Sequence, residues 1–481
     1  MASTLAIETH DWRRALVLYL LPLSFFASIA RSGVVMVDGD TYVHIVAGRW
    51  MFEHHQFIRT DLFSYTFAGA KWGDPEWLSE VAMAAAYNLA GWSGLALLFS
   101  VAFGLTGFFL ARQLLKYLSP LPAAIILQLS FACLANGQSS RPYALALPIL
   151  AIWTSDLVDA VAERRTPRLW LLPLMTLWSN LHGSFPLGIG LAAAFAAEAF
   201  MSAQRDRWRD AGHWLLFVAG AIIAAAINPN GIFGLIAPIE FMARPILAGM
   251  LDWGTTSFSQ IEPFEVALLA FVSVCIVRPV RMAPSRLLLL LALAHMALAH
   301  RRHVNVFAVV VPILLAEPLA RAFASKTAST QVLQAPVRGV MGLIAGAASL
   351  VIAVARVITP NPQANIYSPA DALAHVPVRV ASQPVFNEDV LGGFLIWHGI
   401  KSFIDSRQEM VTDTFFENYV LMCDPNREAI VRTFARYNVG WTIMTRDNAA
   451  NSILDTLPGW RVLYSDRYAV IHVRDDLVKA R

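Results

Sequence analysis

The sequence predicts a polytopic α-helical membrane protein that ends in a small soluble α/β domain. Three observations lead there. The 481 residues are 57% hydrophobic and only 15% charged, with a mean hydropathy of +0.52, where soluble domains carry about a quarter charged residues. Apolar runs of span length recur between residues 14 and 357, separated by short clusters of Lys and Arg. Beyond about residue 359 the runs shorten to strand length and alternate with helical patterns.

A membrane-spanning helix needs about 20 apolar residues. About eleven segments approach that description: 14–37, 92–115, 119–137, 142–160, 168–181, 184–204, 212–227, 263–278, 285–299, 303–322 and 337–357. The first has no small-x-small cleavage site and reads as a retained span rather than a removed leader. Short cytoplasmic loops collect Lys and Arg, so a cytoplasmic N-terminus is expected. That orientation places Arg13 and Arg14, Arg112 and Lys116, Arg164, Arg165 and Arg168, Arg205, Arg207 and Arg209, Arg278, Arg281 and Arg286, and Arg321, Lys326 and Arg338 inside. The outer face then receives a long first loop, 38–91, the turns near Arg141 and His182, the loop 228–262, the turn 300–303 and the tail. Within the first loop, "PEWLSEVAMAAAYNLA" is too short and too acidic at its start to span, and suits a helix lying in the interface. The segment "FASKTASTQVLQA" reads as a cytoplasmic linker.

In the tail, 359–481, "PVFN", "KSFID" and "VGWTIMT" have strand character, "EDVLGGFLIWHG" and "TDTFFENYVLMCDPNREAIVRTFARY" have helical character, and "WRVLYSDRYAVIHV" reads as a hairpin. The domains are therefore 1–358, a membrane domain whose first outer loop is 38–91, and an extracytoplasmic α/β domain over 359–481. Cys133, Cys275 and Cys423 are too few and too scattered for a disulfide framework or a zinc site. A net charge of +3 with dispersed basic residues argues against a nucleic-acid partner.

The chemistry-bearing residues fall on the outer side. Asp38 and Asp40 stand one residue apart where the first span ends, and His44 follows. Such a pair suits a divalent cation, Mg or Mn, through hard oxygen ligands. Equally, one member suits a general base on a hydroxyl while the other orients substrate; spacing does not separate these roles. Asp61 reads as a turn residue, and Asp74, before Pro75, as a helix cap. Glu76 sits where the helix dipole favours an acid and is a further catalytic candidate. Arg141, Asn180, His182, Asn228, Asn230, Arg301, Arg302 and His303 occupy the other outer turns. Singly they suit caps or snorkelling side chains. Jointly they place cationic and hydrogen-bonding groups at the depth of lipid phosphates, with Arg302, His182 and Arg141 leading, Arg301 and His303 behind them, and Arg244 weaker.

This pattern resembles the GT-C superfamily of membrane glycosyltransferases, which includes protein O-mannosyltransferases and aminoarabinose transferases. The shared features are the acidic Asp38-Gly39-Asp40 motif after the first span, the long first outer loop with an interfacial helix, and an outer C-terminal domain. More closely, "DGDTYVHIVAGRWM", "DLFSYTFAG", "WGDPEWLSE", "WSNLHGSFPLG", "NEDVLGGFLIWHG" and "FIDSRQEM" resemble a bacterial group assigned to that superfamily. The resemblance implies a GT-C-like fold in the bacterial inner membrane and a polyprenyl-phosphate-linked sugar donor. It also implies an inverting displacement onto a glycan, lipid or protein hydroxyl at the outer face, with Asp38 or Asp40 deprotonating the acceptor. The tryptophan-containing peptide-binding signature of oligosaccharyltransferases is missing from the tail, so protein N-glycosylation is not expected. The competing expectation is a non-enzymatic polyprenyl-lipid flippase or a glycan-assembly scaffold.

Overall fold

The computed structural model describes residues 12–32, 38–135, 140–202, 207–244, 247, 253–323, 335–359 and 365–479. Arg205, Lys326 and most of the expected linker lie outside these. The N-terminal part is built from helices joined by turns and loops, the longest of them over 55–76. A π-helical turn, Leu16–Leu20, runs into α1 (Leu21–Arg31), followed by α2 (Asp40–His54), α3 (Trp77–Tyr117), α4 (Pro120–Ala135), α5 (Tyr143–Ala162) and α6 (Leu171–Leu181). Then come α7 (Phe185–Ser202), α8 (Arg207–Ala225), α9 (Ile232–Met242), α10 (Pro263–Val277), α11 (Pro284–Ala299), a 3₁₀ turn (Arg301–His303), α12 (Val304–Ala322) and α13 (Ala335–Ile358).

Each expected span contains a helix among the described residues, but about eleven spans is too many by length. Among the described residues six helices are long and apolar enough to cross a membrane: Trp12–Arg31, Trp77–Tyr117, Tyr143–Ala162, Phe185–Ser202, Arg301–Ala322 and Val337–Ile358. The chain is therefore an α-helical membrane protein. The remaining apolar helices fall short because turns and prolines cut them. The 11 residues of α6, which end at His182-Gly183, rise about 16 Å, roughly half a hydrocarbon core. Helix α8 is 19 residues long but opens with Arg207, Arg209 and Asp210.

Helix α3 contains a break that the sequence had suggested at the same place. Its backbone leaves helical geometry at Ala90 (φ −148°, ψ 27°) and Gly91 (φ 57°, ψ −144°), a left-handed φ that a glycine adopts without strain. The break separates a first arm, 77–89, from a longer apolar arm, 92–117. Around it an aromatic group forms from both parts of the chain: Tyr42, Tyr87, Trp92 and Trp397 make edge contacts, and the Arg49 guanidinium lies 4.9 Å from the Tyr87 ring and 4.7 Å from the Trp397 ring.

The helical bundle packs around large buried rings, among them Phe25, Phe99, Phe103, Trp153, Trp178 and Phe195. Several basic residues expected at inner helix ends are paired with acids. Arg165 bonds Asp156 at 2.8 Å, Arg286 bonds Glu198 at 2.8 Å, and Lys116 bonds Asp159. Orientation is checked directly by a reporter active only outside the cytoplasm. Fused after Arg481 it should give signal, and fused after Ser202 it should be silent; the reverse result would invert the arrangement.

The tail carries a four-stranded sheet in the order β1-β2-β4-β3, built from β1 (Val385–Asn387), β2 (Trp441–Thr445), β3 (Trp460–Ser465) and β4 (Ala469–Arg474). Strand β1 runs parallel to β2, and β4 runs antiparallel to both β2 and β3. The expected hairpin is β3–β4. Helices α14 (Ala370–Ala374) and α15 (Val378–Ala381) precede the sheet, α16 (Asp389–Trp397) follows β1, and α17 (Asp413–Cys423) and α18 (Arg427–Tyr437) precede β2. "KSFID" is not a strand of this sheet. Ser402 instead forms an isolated bridge with Ser64, because this stretch pairs with the loop between α2 and α3.

Loop and tail are joined through buried groups. The Tyr65 N–H donates to the Ser402 carbonyl at 3.1 Å, the Ser402 N–H to the Phe63 carbonyl at 3.1 Å, and the Trp72 indole to Glu409 at 2.7 Å. Arg407 donates to Asp61 at 2.7 Å and through two nitrogens to Asp405 at 2.7 Å, and its guanidinium lies over the Phe63 and Trp72 rings.

Candidate functional site

Asp38 and Asp40 come from the lead-in and first residue of α2, and both face Arg141, which precedes α5. Arg141 Nε donates to Asp38 Oδ2 at 2.6 Å and its Nη2 lies 3.0 Å from Asp40 Oδ2. The Asp40 N–H donates to Asp38 Oδ1 at 3.1 Å, so the first turn of α2 holds both acids in register. A divalent ion between them would have to take the oxygens that Arg141 now occupies. Among the described residues no group of three or more His, Cys, Asp and Glu side chains is arranged to hold a metal.

One turn along α2 from Asp40, His44 carries the site to the start of α3. Its Nδ1 lies 2.8 Å from Glu80 Oε1, and its Nε2 lies 4.0 Å from Glu76 Oε2. From the end of α6, His182 Nε2 lies 3.2 Å from Glu76 Oε1. The tautomer of His182 follows from its other nitrogen: Nδ1 accepts the Ser184 backbone N–H at 3.1 Å, so Nε2 carries the proton and donates it to Glu76. Burial, reinforced by the charge of Arg302 and by His44, pushes His182 down to about 3, which keeps it neutral. Burial pushes Glu76 in the other direction, up to about 7; His44 opposes the rise and Asp74 and Glu409 add to it. The site therefore holds a carboxyl that changes charge near neutral pH beside a fixed neutral donor.

Asp74 caps the approach to α3, accepting the Glu76 N–H at 2.8 Å. Its second oxygen is buried, and burial followed by the charge of Glu80 raises its pKa well above the carboxylate range. Asn180 accepts from the Trp77 indole at 2.8 Å and donates to the Ile227 carbonyl at 2.8 Å, fixing α6 to the start of α3. Asn230 accepts from Arg59 at 3.2 Å, and Asn228 closes its own turn through the Ala225 carbonyl. A small crevice opens beside this seam, lined by Asp74, Trp77, Arg59 and Asn230 among others.

The remaining basic candidates separate. The Arg302 guanidinium lies 4.3 Å from the Trp253 ring centre, and its charge acts on both Glu76 and His182. Arg301 points elsewhere, half-exposed and 3.5 Å from Glu262. His303 donates to the Met296 carbonyl at 3.3 Å and meets Trp253 edge-on. Arg244 is not in the site, since it holds Asp413 at 2.7 Å and the carbonyls of Gln408 and Val411. Asp61 makes the expected turn, accepting the Phe63 N–H at 3.0 Å, but also faces Arg407.

The structure thus brings Asp38, Asp40, His44, Glu76, His182 and Arg141 together, with Arg302 in electrostatic reach. His182 and Arg141 are linked further by Tyr143, two residues after Arg141, whose ring centre lies 6.3 Å from that of His182. Glu80 was read in the sequence only as an acid at the start of the interfacial helix and not as a site residue, although its spacing, four residues after the helix-capping Glu76, was a usable signal. Glu409 approaches from the tail and had no local signal. No protein-family model matches the chain, and no curated protein matches it.

Proposed function

We propose that the protein is an inverting membrane glycosyltransferase that moves a sugar from a polyprenyl-phosphate-linked donor to a hydroxyl of an envelope glycan, lipid or protein. The observation that carries this reading is the convergence of a near-neutral carboxyl, Glu76, with the Asp38/Asp40–Arg141 group and the charge of Arg302 at the ends of apolar helices. In the proposed step the acceptor oxygen attacks the anomeric carbon, the bond from that carbon to the phosphate oxygen breaks, and the lipid phosphate leaves with the electron pair. The acceptor proton goes to a carboxylate. Glu76 suits that task better than Asp38 or Asp40, whose oxygens already accept from a guanidinium. Arg302 supplies positive charge toward the departing phosphate, while His182, neutral, orients Glu76 rather than binding phosphate as a cation. The superfamily resemblance supports the same placement, in the bacterial inner membrane with the tail outside.

The test compares envelope glycans by mass spectrometry from cells with and without the protein, looking for one missing sugar, followed by transfer assays on the purified chain. Asp40→Asn and Asp38→Asn should each lower transfer by releasing Arg141, while a pH dependence with a midpoint near 7 persists in both. Loss of that midpoint in Asp40→Asn would move the base from Glu76 to Asp40. Unchanged glycans in cells lacking the protein, with lipid translocation lost, would favour the flippase. Adding and chelating Mg or Mn in the same assay decides whether a cation takes part.

A further inference from the structure

The break at Ala90 and Gly91 marks a level in the molecule. The apolar arm of α3 starts at Trp92 and α13 ends at Ile358, and the Ser93 hydroxyl donates to the Arg356 carbonyl at 3.0 Å. Two helices of spanning length therefore have their ends side by side there. Tyr42, Tyr87, Trp92 and Trp397 gather at the same place, as Tyr and Trp do where a membrane meets water. Just before the break Leu89 is 87% exposed, in a helix suited to insert apolar side chains among lipids.

Arg49 lies in this group with donors to spare. Its Nε donates to Asn88 Oδ1 at 3.0 Å, and its guanidinium lies over the Tyr87 and Trp397 rings. Among the described residues neither Nη has a hydrogen-bond acceptor and no carboxylate pairs with the group. Those two nitrogens carry four of its five N–H donors. Helix α16, which brings Trp397, is seated on the start of α2: a Cβ on Gly393 would stand 2.1 Å from the Gly39 carbonyl oxygen. The ring shelf is therefore fixed to the helix that carries Arg49. Arg49 is five residues past His44, about 140° around α2, so it leaves the helix away from the face that His44 turns to Glu76 and Glu80.

We propose that Arg49, with Tyr87 and Trp397 as its shelf, binds the phosphate of an anionic phospholipid of the bilayer. A guanidinium laid against rings keeps its N–H edge for a planar fork onto two phosphate oxygens. The occupant is a bilayer lipid rather than the sugar donor, because the site opens beside exposed Leu89 and lies around α2 from His44. One headgroup then ties α2, α3 and α16 together, so anionic lipid strengthens the seating of the tail. This placement does not depend on the transferase reading.

The experiment uses the full chain in nanodiscs of equal parts dioleoylphosphatidylglycerol and dioleoylphosphatidylcholine, with native mass spectrometry counting the phospholipid that stays bound. Wild type should retain phosphatidylglycerol over phosphatidylcholine, and Arg49→Gln should bind it about tenfold more weakly, the scale of one charge-assisted pair. Arg49→Lys keeps the charge without the flat fork and should fall between them; it carries the comparison where Arg49→Gln does not insert. Hydrogen exchange over 389–397 should slow in wild type when phosphatidylcholine discs gain phosphatidylglycerol, and that response should vanish in Arg49→Gln. Equal retention of phosphatidylglycerol by wild type and both variants would overturn the proposal and leave Arg49 a pin between α2, α3 and the tail. Release of the retained lipid by an equimolar polyprenyl phosphate would also overturn it, by giving the site to the donor. None of these readouts needs a sugar, so they stand whether or not the chain transfers one.

Discussion

Arg407→Met should detach the tail from the loop between α2 and α3 at a cost of about 3–5 kcal/mol, the range for removing one partner from a buried ion pair. Arg407 is 3% exposed, Asp61 0% and Asp405 4% on their side chains. Deleting the guanidinium leaves two carboxylates facing each other out of water, with only Ser64 and Ser402 hydroxyls and local N–H groups to solvate them. Burial alone would raise Asp405, but Arg407 outweighs it and holds Asp405 below its ordinary value. A depressed folded value contributes stability above the unfolded carboxyl range and loses it as pH falls through the folded value, so docking weakens on acidification below about pH 4. Limited proteolysis of the nanodisc-embedded chain should show the 60–72 loop and the 400–413 segment opening together in Arg407→Met. The triple variant Asp61→Asn, Asp405→Asn, Arg407→Met should recover part of the loss, because it removes the stranded charges along with their partner. A change below about 1 kcal/mol would place these groups with ordinary surface pairs.

That clamp marks where sequence reading stopped. The apolar runs carry their own periodicity and length, so each expected helix formed. The strand-length runs "PVFN" and "VGWTIMT" and the hairpin pattern from Trp460 to Arg474 were enough to identify all four strands, with "KSFID" one too many. Span number was overestimated because hydropathy registers an apolar stretch without registering where a proline or a His-Gly turn ends it. Within the site, Asp38, Asp40 and Glu76 were legible because acids at the end of an apolar run are costly unless used. Their partners were less so. Arg141 lies 103 residues from Asp38, and Arg407 lies 346 from Asp61. No local pattern predicts a pairing across that separation. The packing of "NEDVLGGF" on the aspartate turn was invisible for the same reason: only the close approach of Gly393 to Gly39 reveals it.

Glu76→Gln should lower sugar transfer by about 10² to 10⁴, the usual contribution of a positioned general base, with membrane insertion intact. Glutamine retains the shape and still accepts the His182 N–H through its amide oxygen, so the neighbouring helices need not move. What it loses is the capacity to take a proton. Because burial holds Glu76 at about 7, the wild-type rate should climb with pH through about 7, where the carboxyl sheds its proton, and level off above. A base must be unprotonated to act, so the acid side is the inactive one. His182→Gln keeps a side-chain N–H to offer but loses the ring geometry, and should cost less than Glu76→Gln while leaving the midpoint near 7. His182→Phe removes the donor and the Ser184 contact together and should lower the rate further, with the midpoint displaced upward because the ionised form of Glu76 loses a hydrogen bond. If Glu76→Gln transfers sugar at a rate within tenfold of wild type and keeps the midpoint, the proton goes elsewhere. The Asp38 and Asp40 variants then decide whether an aspartate receives it.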